Sequence, residues 1–161
     1  DFHLKKLREV KKRNKLKNLH IIPKAVAEKK EKKEFLIMLR NTTANNLLDA
    51  KRTRYGKIIK KKVNCDDINT VNNKADLIKI DVEGYEGKLI EAINFRKNKN
   101  ENADFIIEIH NEYNSKKIFK KFSKLKIYDI FLLKNKKLKK ITKYNQIPKK
   151  SFEGHLYIKK K

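Results

Sequence analysis

The sequence predicts a single α/β domain with an open, mostly parallel sheet whose last strand runs antiparallel, and three observations predict it. The first is a pair of strand-length apolar runs, DLIKI at 76–80 and FIIEI at 105–109. The second is the segment between them, which places Leu89, Ile90 and Ile93 on one helical face. Strand, helix and strand in about 34 residues form a βαβ unit, so the two strands are expected to be parallel neighbours joined by a right-handed crossover. The third is the end of the chain, where IYDIFLL at 127–133 and GHLYI at 154–158 are connected through a lysine-rich turn with no helix between them. Such a pair reads as antiparallel.

The other elements follow in order. In FHLKKLREVKKRNKL at 2–16, Leu4, Leu7 and Val10 lie three apart among basic residues, the pattern of a helix that buries one narrow stripe. Neither a methionine nor a loop precedes Phe2 beyond Asp1, so the chain is expected to begin within a connection between a strand and this helix. LHIIPKAVA at 19–27 reads as a strand, with Pro23 near its end, where a missing N–H does least damage. EFLIML at 34–39 and KIIKKKVN at 57–64 are expected to pair as an extra hairpin, with NTTANN at 41–46 and Gly56 supplying turn chemistry. A polar loop, KNKNEN at 97–102, leads into the second strand of the βαβ unit. Beyond it, Ile118, Phe119, Phe122 and Leu125 fall at helical spacing and predict one more helix.

Composition narrows the functional classes. The apolar runs are far shorter than the roughly 20 residues a bilayer demands, so a soluble protein is expected. The lone Cys65 makes no internal disulfide, no Cys/His cluster has zinc-ligand spacing, and a cytoplasmic location is the natural reading. The formal charge of +25, from 44 basic and 19 acidic residues, invites nucleic acid as a partner. Its distribution favours a simpler origin. Lysines recur in every segment, whereas arginine, suited to bidentate phosphate and guanine contacts, occurs only at 8, 13, 40, 52, 54 and 96. Lysine, asparagine and isoleucine share A/T-rich codons, so a solvated lysine surface ranks ahead of a dedicated nucleic-acid face.

Ligands of open α/β sheets bind beyond the carboxyl ends of strands, which directs attention to residues 24–27, 81–86 and 108–111. Asp81, Glu83 and Glu86 surround a glycine that lets the backbone turn. Clustered carboxylates accept hydrogen bonds from a ligand, act as a general base or hold a divalent metal cation. Against that stands ordinary helix chemistry, since acids at a helix N-terminus meet the macrodipole and Asp81 could simply cap; that reading is preferred for Glu86. In EIHNE at 108–112, Glu108 and His110 lie two apart on a strand and project to the same face, and His110 is the obvious proton acceptor near neutral pH. His3, His20 and His155 have no comparable setting, and Cys65 reads as a packing residue. Dinucleotide-binding, P-loop, serine-hydrolase and zincin motifs are absent.

The segment LIKIDVEGYEGKLIEA at 77–92 closely resembles the hallmark of the FkbM methyltransferases: a hydrophobic strand, K-I-D-V-E-G-x-E, and a helix with a leucine-rich face. NKLKNLHIIPKAVAEK at 14–29, VNCDDI at 63–68 and FIIEIHNE at 105–112 are similar to flanking segments of that family in the same order. The resemblance implies a Rossmann-like class I methyltransferase sheet that uses S-adenosylmethionine to methylate a hydroxyl of a sugar, glycan or small metabolite. It further implies that Ala25 and Val26 sit beside the adenine, and that Asp81 and Glu83 lie near the methionine end and the acceptor. Glu108 and His110 would lie at the acceptor side, with His110 or Asp81 assisting deprotonation. The family's first strands and glycine loop would precede Asp1, so the resemblance implies a domain lacking its N-terminal cofactor-loop segment. The alternatives are a basic nucleic-acid-associated module, including an RNA methyltransferase, and a non-catalytic remnant of the fold.

Overall fold

The computed structural model describes residues 2–39, 44–50, 56–71, 75–95, 102–150 and 153–161. Along the chain these form α1 (Phe2–Arg13), β1 (Ala25–Ala27), β2 (Glu31–Met38), β3 (Asn46–Leu47), β4 (Ile58–Asp67), α2 (Ile68–Val71) and β5 (Leu77–Ile80). There follow α3 (Glu86–Ala92), β6 (Asp104–Glu108), α4 (Glu112–Leu125), β7 (Tyr128–Lys134), β8 (Lys137–Ile141), a 3-10 turn at Tyr144–Gln146, and β9 (His155–Lys160).

Two sheets result, ordered β1-β4-β2-β3 and β5-β6-β9-β7-β8. Among the described residues only β1–β4 and β5–β6 pair in parallel; the remaining pairs are antiparallel. The expectation of one Rossmann-like, mostly parallel sheet with a single antiparallel strand is therefore overturned: the protein is mixed α/β with two mixed, antiparallel-rich sheets. Connection length gives the reason, because parallel neighbours need a crossover of a dozen or more residues. The chain from β5 through α3 to β6 supplies one, whereas β7 and β8 meet through a two-residue turn, Asn135 and Lys136, both at positive φ. β9 then inserts between β6 and β7, antiparallel to both.

The βαβ unit forms as the periodicity predicts, with Leu77 opposite Asp104 and Ile80 opposite Ile107. Alternation along β5 buries Ile78 and Ile80 and leaves Leu77 and Lys79 exposed. Phe105 and Ile107 of β6 are fully buried beneath Leu89 and Ile90 of α3 and Ile118 and Phe122 of α4. Phe95, Phe105, Phe122 and Tyr128 form an aromatic cluster, with centroids 5.2 to 6.1 Å apart in mostly edge-to-face geometry. The expected hairpin of 34–39 with 57–64 is present in β2 and β4, paired from Glu31–Cys65 to Met38–Ile58.

Three further expectations change. The strand expected at 19–27 shrinks to Ala25–Ala27, because the Lys24 N–H turns back to the Ile22 carbonyl across Pro23, which has no N–H of its own to offer. The first helix forms but buries none of its residues, leaving Leu7 and Val10 exposed. The lysine-rich turn before the last strand contains β8. Of the expected loops, NTTANN lies outside the described residues at 41–43 and enters β3 at Asn46, and KNKNEN lies outside them at 97–101.

Candidate functional site

The carboxyl ends of β5 and β6 lie side by side, and the segments that leave them meet. Beyond β5 the chain passes Asp81 and turns at Glu83 and Gly84, whose φ angles are +53° and +105°. A non-glycine residue in the left-handed region stores strain of order 1–3 kcal/mol. The turn places the Glu83 carboxylate 3.6 Å from His110 Nε2. Beyond β6 the chain passes Ile109 and His110 to Asn111, whose side chain caps α4 by accepting from the Asn114 N–H.

Glu86, the first residue of α3, is the hub. Its side chain is fully buried. Oε1 accepts from the backbone N–H groups of Gly84, at 2.9 Å, and Val82, at 3.3 Å. The same oxygen lies 2.8 Å from His110 Nδ1, and Oε2 accepts from Asn114 Nδ2 at 2.7 Å. A buried carboxylate demands such a set of donors. It also fixes the imidazole, since a carboxylate only accepts: Nδ1 carries a proton and Nε2 faces Glu83 and Glu108. Around Nε2 stand Glu83 Oε2 and Glu108 Oε1, each at 3.6 Å. The second Glu108 oxygen lies 3.3 Å from His155 Nε2. Asp81, Glu108 and His110 bring one potential ligand atom each to within 4.8 Å of one another, and these three residues could hold a metal ion.

Electrostatics set the protonation states. Burial alone would lower the His110 pKa, but the Glu86, Glu83 and Glu108 carboxylates outweigh it and hold the imidazole above its ordinary range. Partial burial would raise Asp81, but the Lys79 ammonium at 2.7 Å, with His110 assisting, holds it below the usual carboxylate range. The carboxylates around His110 thus favour its charged form and the ammonium beside Asp81 favours the carboxylate. Asp81 does not cap α3, whose N-cap is Tyr85.

The structure brings Asp81, Glu83, Glu108 and His110 together. Ala25 and Val26 are half-buried in β1, opposite Cys65 and Asp66. The end of β1 reaches the acidic turn, because Glu28 accepts a hydrogen bond from the Tyr85 hydroxyl. Lys33 and Lys88 lie over the Tyr85 ring. Three residues take roles at the site that the sequence reading did not assign them. Glu86 was expected to be no more than a helix-terminal acid, and it is the buried support of His110. Asn114 holds Glu86 and the Gly84 carbonyl from a helix 28 residues further on. Gly87 permits that helix to approach: a Cβ there would lie 2.6 Å from Asn114 Oδ1. No local pattern marks Asn114, whereas Gly87 was visible as a glycine in a helical segment.

Comparison with protein-family models, curated proteins and solved structures gave no match for this chain. Among the described residues no helix is long and apolar enough to cross a membrane. A shallow surface depression is lined by Lys116, Phe119, Lys120, Lys124 and Tyr144. It includes none of the carboxylate–histidine cluster, and chemistry argues for the cluster as the site.

Proposed function

We propose that this chain carries the acceptor side of an S-adenosylmethionine-dependent O-methyltransferase of FkbM type, acting in the cytoplasm on a hydroxyl of a sugar, glycan or small metabolite. One observation carries the reading: KIDVEGYE at 79–86 resembles the family hallmark, and its acidic turn converges on the EIH of 108–110, which resembles a second family segment. Two carboxylates and an imidazole at adjoining strand ends suit the recognition of a hydroxylated acceptor. Asp81, kept ionised by Lys79, is the group available to accept the hydroxyl proton, while His110 and Glu108 orient the acceptor. In-line positioning supplies most of the acceleration in such a transfer. S-adenosylmethionine, when bound, supplies the methyl group.

A second reading, in which the acceptor is RNA, draws on the +25 charge and on the depression that interleaves Lys116, Lys120 and Lys124 with Phe119 and Tyr144. One experiment serves both. Incubation with methyl-labelled S-adenosylmethionine and separate panels of glycans, hydroxylated metabolites and RNA, for this chain and for one extended by any sequence encoded ahead of Asp1, should label a hydroxyl acceptor. Asp81→Asn should reduce the rate about 10²-fold or more. Absence of both S-adenosylmethionine binding and transfer in the extended chain would remove the proposal.

A further inference from the structure

We infer that Asp81, Glu108 and His110 form a three-ligand site for a divalent transition-metal ion of the zinc class, with a fourth position left to a solvent or substrate oxygen. A group of carboxylates alone would not carry this inference. What distinguishes the cluster is the way its one nitrogen is prepared. Glu86, wholly buried, takes the Nδ1 proton of His110 at 2.8 Å, which leaves the Nε2 lone pair of the neutral tautomer directed at the carboxylates. A carboxylate behind one ring nitrogen is the support that orients histidine ligands at metal centres. Here that carboxylate is itself fixed by Asn114 and two backbone N–H groups.

The spacing agrees. Nε2 lies 3.6 Å from the nearest oxygens of both Glu108 and Glu83, beyond ordinary hydrogen-bond length. It is close to the roughly 3.4 Å edge of a tetrahedron whose ligands lie about 2.1 Å from a central zinc ion. The three ligand atoms of Asp81, Glu108 and His110 all lie within 4.8 Å of one another, so contraction onto one ion needs only small side-chain rotations. Charge points the same way. In a chain with 19 acidic against 44 basic residues, four carboxylates (Asp81, Glu83, Glu86 and Glu108) gather around one imidazole. Lys79 is the cation already engaged with Asp81, but that pair is largely exposed and exchanges readily for a bound ion.

The imidazole decides the class of metal. An all-oxygen set suits magnesium or calcium, whereas one nitrogen with two carboxylates suits zinc and its neighbours. Three protein ligands and one open position are the arrangement of a zinc ion that polarises a bound oxygen. The use of that ion to acidify an acceptor hydroxyl rests on the methyltransferase reading; its binding does not. The ligands are invisible as a zinc motif in sequence because they come from the ends of two different strands.

The test is calorimetric titration of the full, metal-free chain with Zn2+, with the visible absorption of added Co2+ reporting coordination geometry. One saturable site per chain with a tetrahedral Co2+ spectrum is expected. Asp81→Asn and Glu108→Gln should each weaken Zn2+ binding by about tenfold or more. Glu91→Gln, which alters an exposed ion pair with Lys117, should leave it unchanged. Asp81 is exposed, so its variant folds whether or not substitution of His110 is tolerated. No saturable binding to folded chain, or binding unaltered by both Asp81→Asn and Glu108→Gln, overturns the inference. S-adenosylmethionine binding is measured in parallel on the chain extended by any sequence encoded ahead of Asp1: zinc binding without S-adenosylmethionine binding or transfer there removes only the methyltransferase reading, and S-adenosylmethionine without zinc removes only this one.

Discussion

Tyr85 and Glu86 are adjacent in sequence and both buried, yet they serve different contacts: Glu86 supports His110, and Tyr85 donates its hydroxyl to Glu28 at the end of β1. Partial burial would raise the Glu28 pKa, but the Tyr85 hydroxyl, Lys33 and Lys88 outweigh it and hold the carboxyl below its ordinary range. The sign of the linkage follows. A carboxyl with a depressed folded-state pKa stabilises fully above its unfolded value, about 4.3, and loses that contribution as pH falls through the folded value. In urea unfolding, the stability gap between the wild type and Glu28→Gln should therefore narrow as pH drops from about 6 to about 3. A gap independent of pH would show that Glu28 acts through packing alone. Asp81, Glu83, Glu108 and His110 were legible as candidates because they flank strand ends. The role of Glu86 was not, because its donors His110 and Asn114 lie 24 and 28 residues away.

At the level of elements, the packing of α3 on α4 sets the geometry of the site, and Gly87 controls it. An added Cβ would meet Asn114 Oδ1 at 2.6 Å and the Asn114 Cα at 3.2 Å, so the helices must separate. Gly87→Ala should cost about 1–3 kcal/mol in denaturant unfolding, the usual range for overpacking, despite alanine's better helix propensity. An unchanged or raised midpoint would mean that the two helices are not in register as described. The βαβ unit was legible because Ile78, Ile80, Phe105 and Ile107 alternate cleanly with exposed or half-buried positions. β8 was not, because KLKKI carries lysines on both faces and buries only Ile141. Its turn, with two consecutive positive φ angles at Asn135 and Lys136, has asparagine where the left-handed region favours it, a signal hidden among lysines.

For the whole molecule, local patterns predicted which segments become strands better than they predicted how those strands associate. β9 joins β6 and β7 from far along the chain, and β2 lies antiparallel beside β4, pairings that no short window of sequence contains. The mostly parallel sheet inferred from one βαβ unit was an extrapolation beyond that unit. What the fold does bring together is the carboxylate–histidine cluster. In a chain of net charge +25, the carboxylates of Asp81, Glu83, Glu86 and Glu108 converge on His110 where the adjacent parallel strands β5 and β6 end. The most direct measurement of that convergence is a long-range 1H–15N correlation spectrum of the His110 ring in the metal-free protein, recorded at a pH high enough to neutralise the imidazole. Donation to buried Glu86 predicts the Nδ1-protonated tautomer; an Nε2-protonated ring, or rapid exchange between the two tautomers, would contradict it.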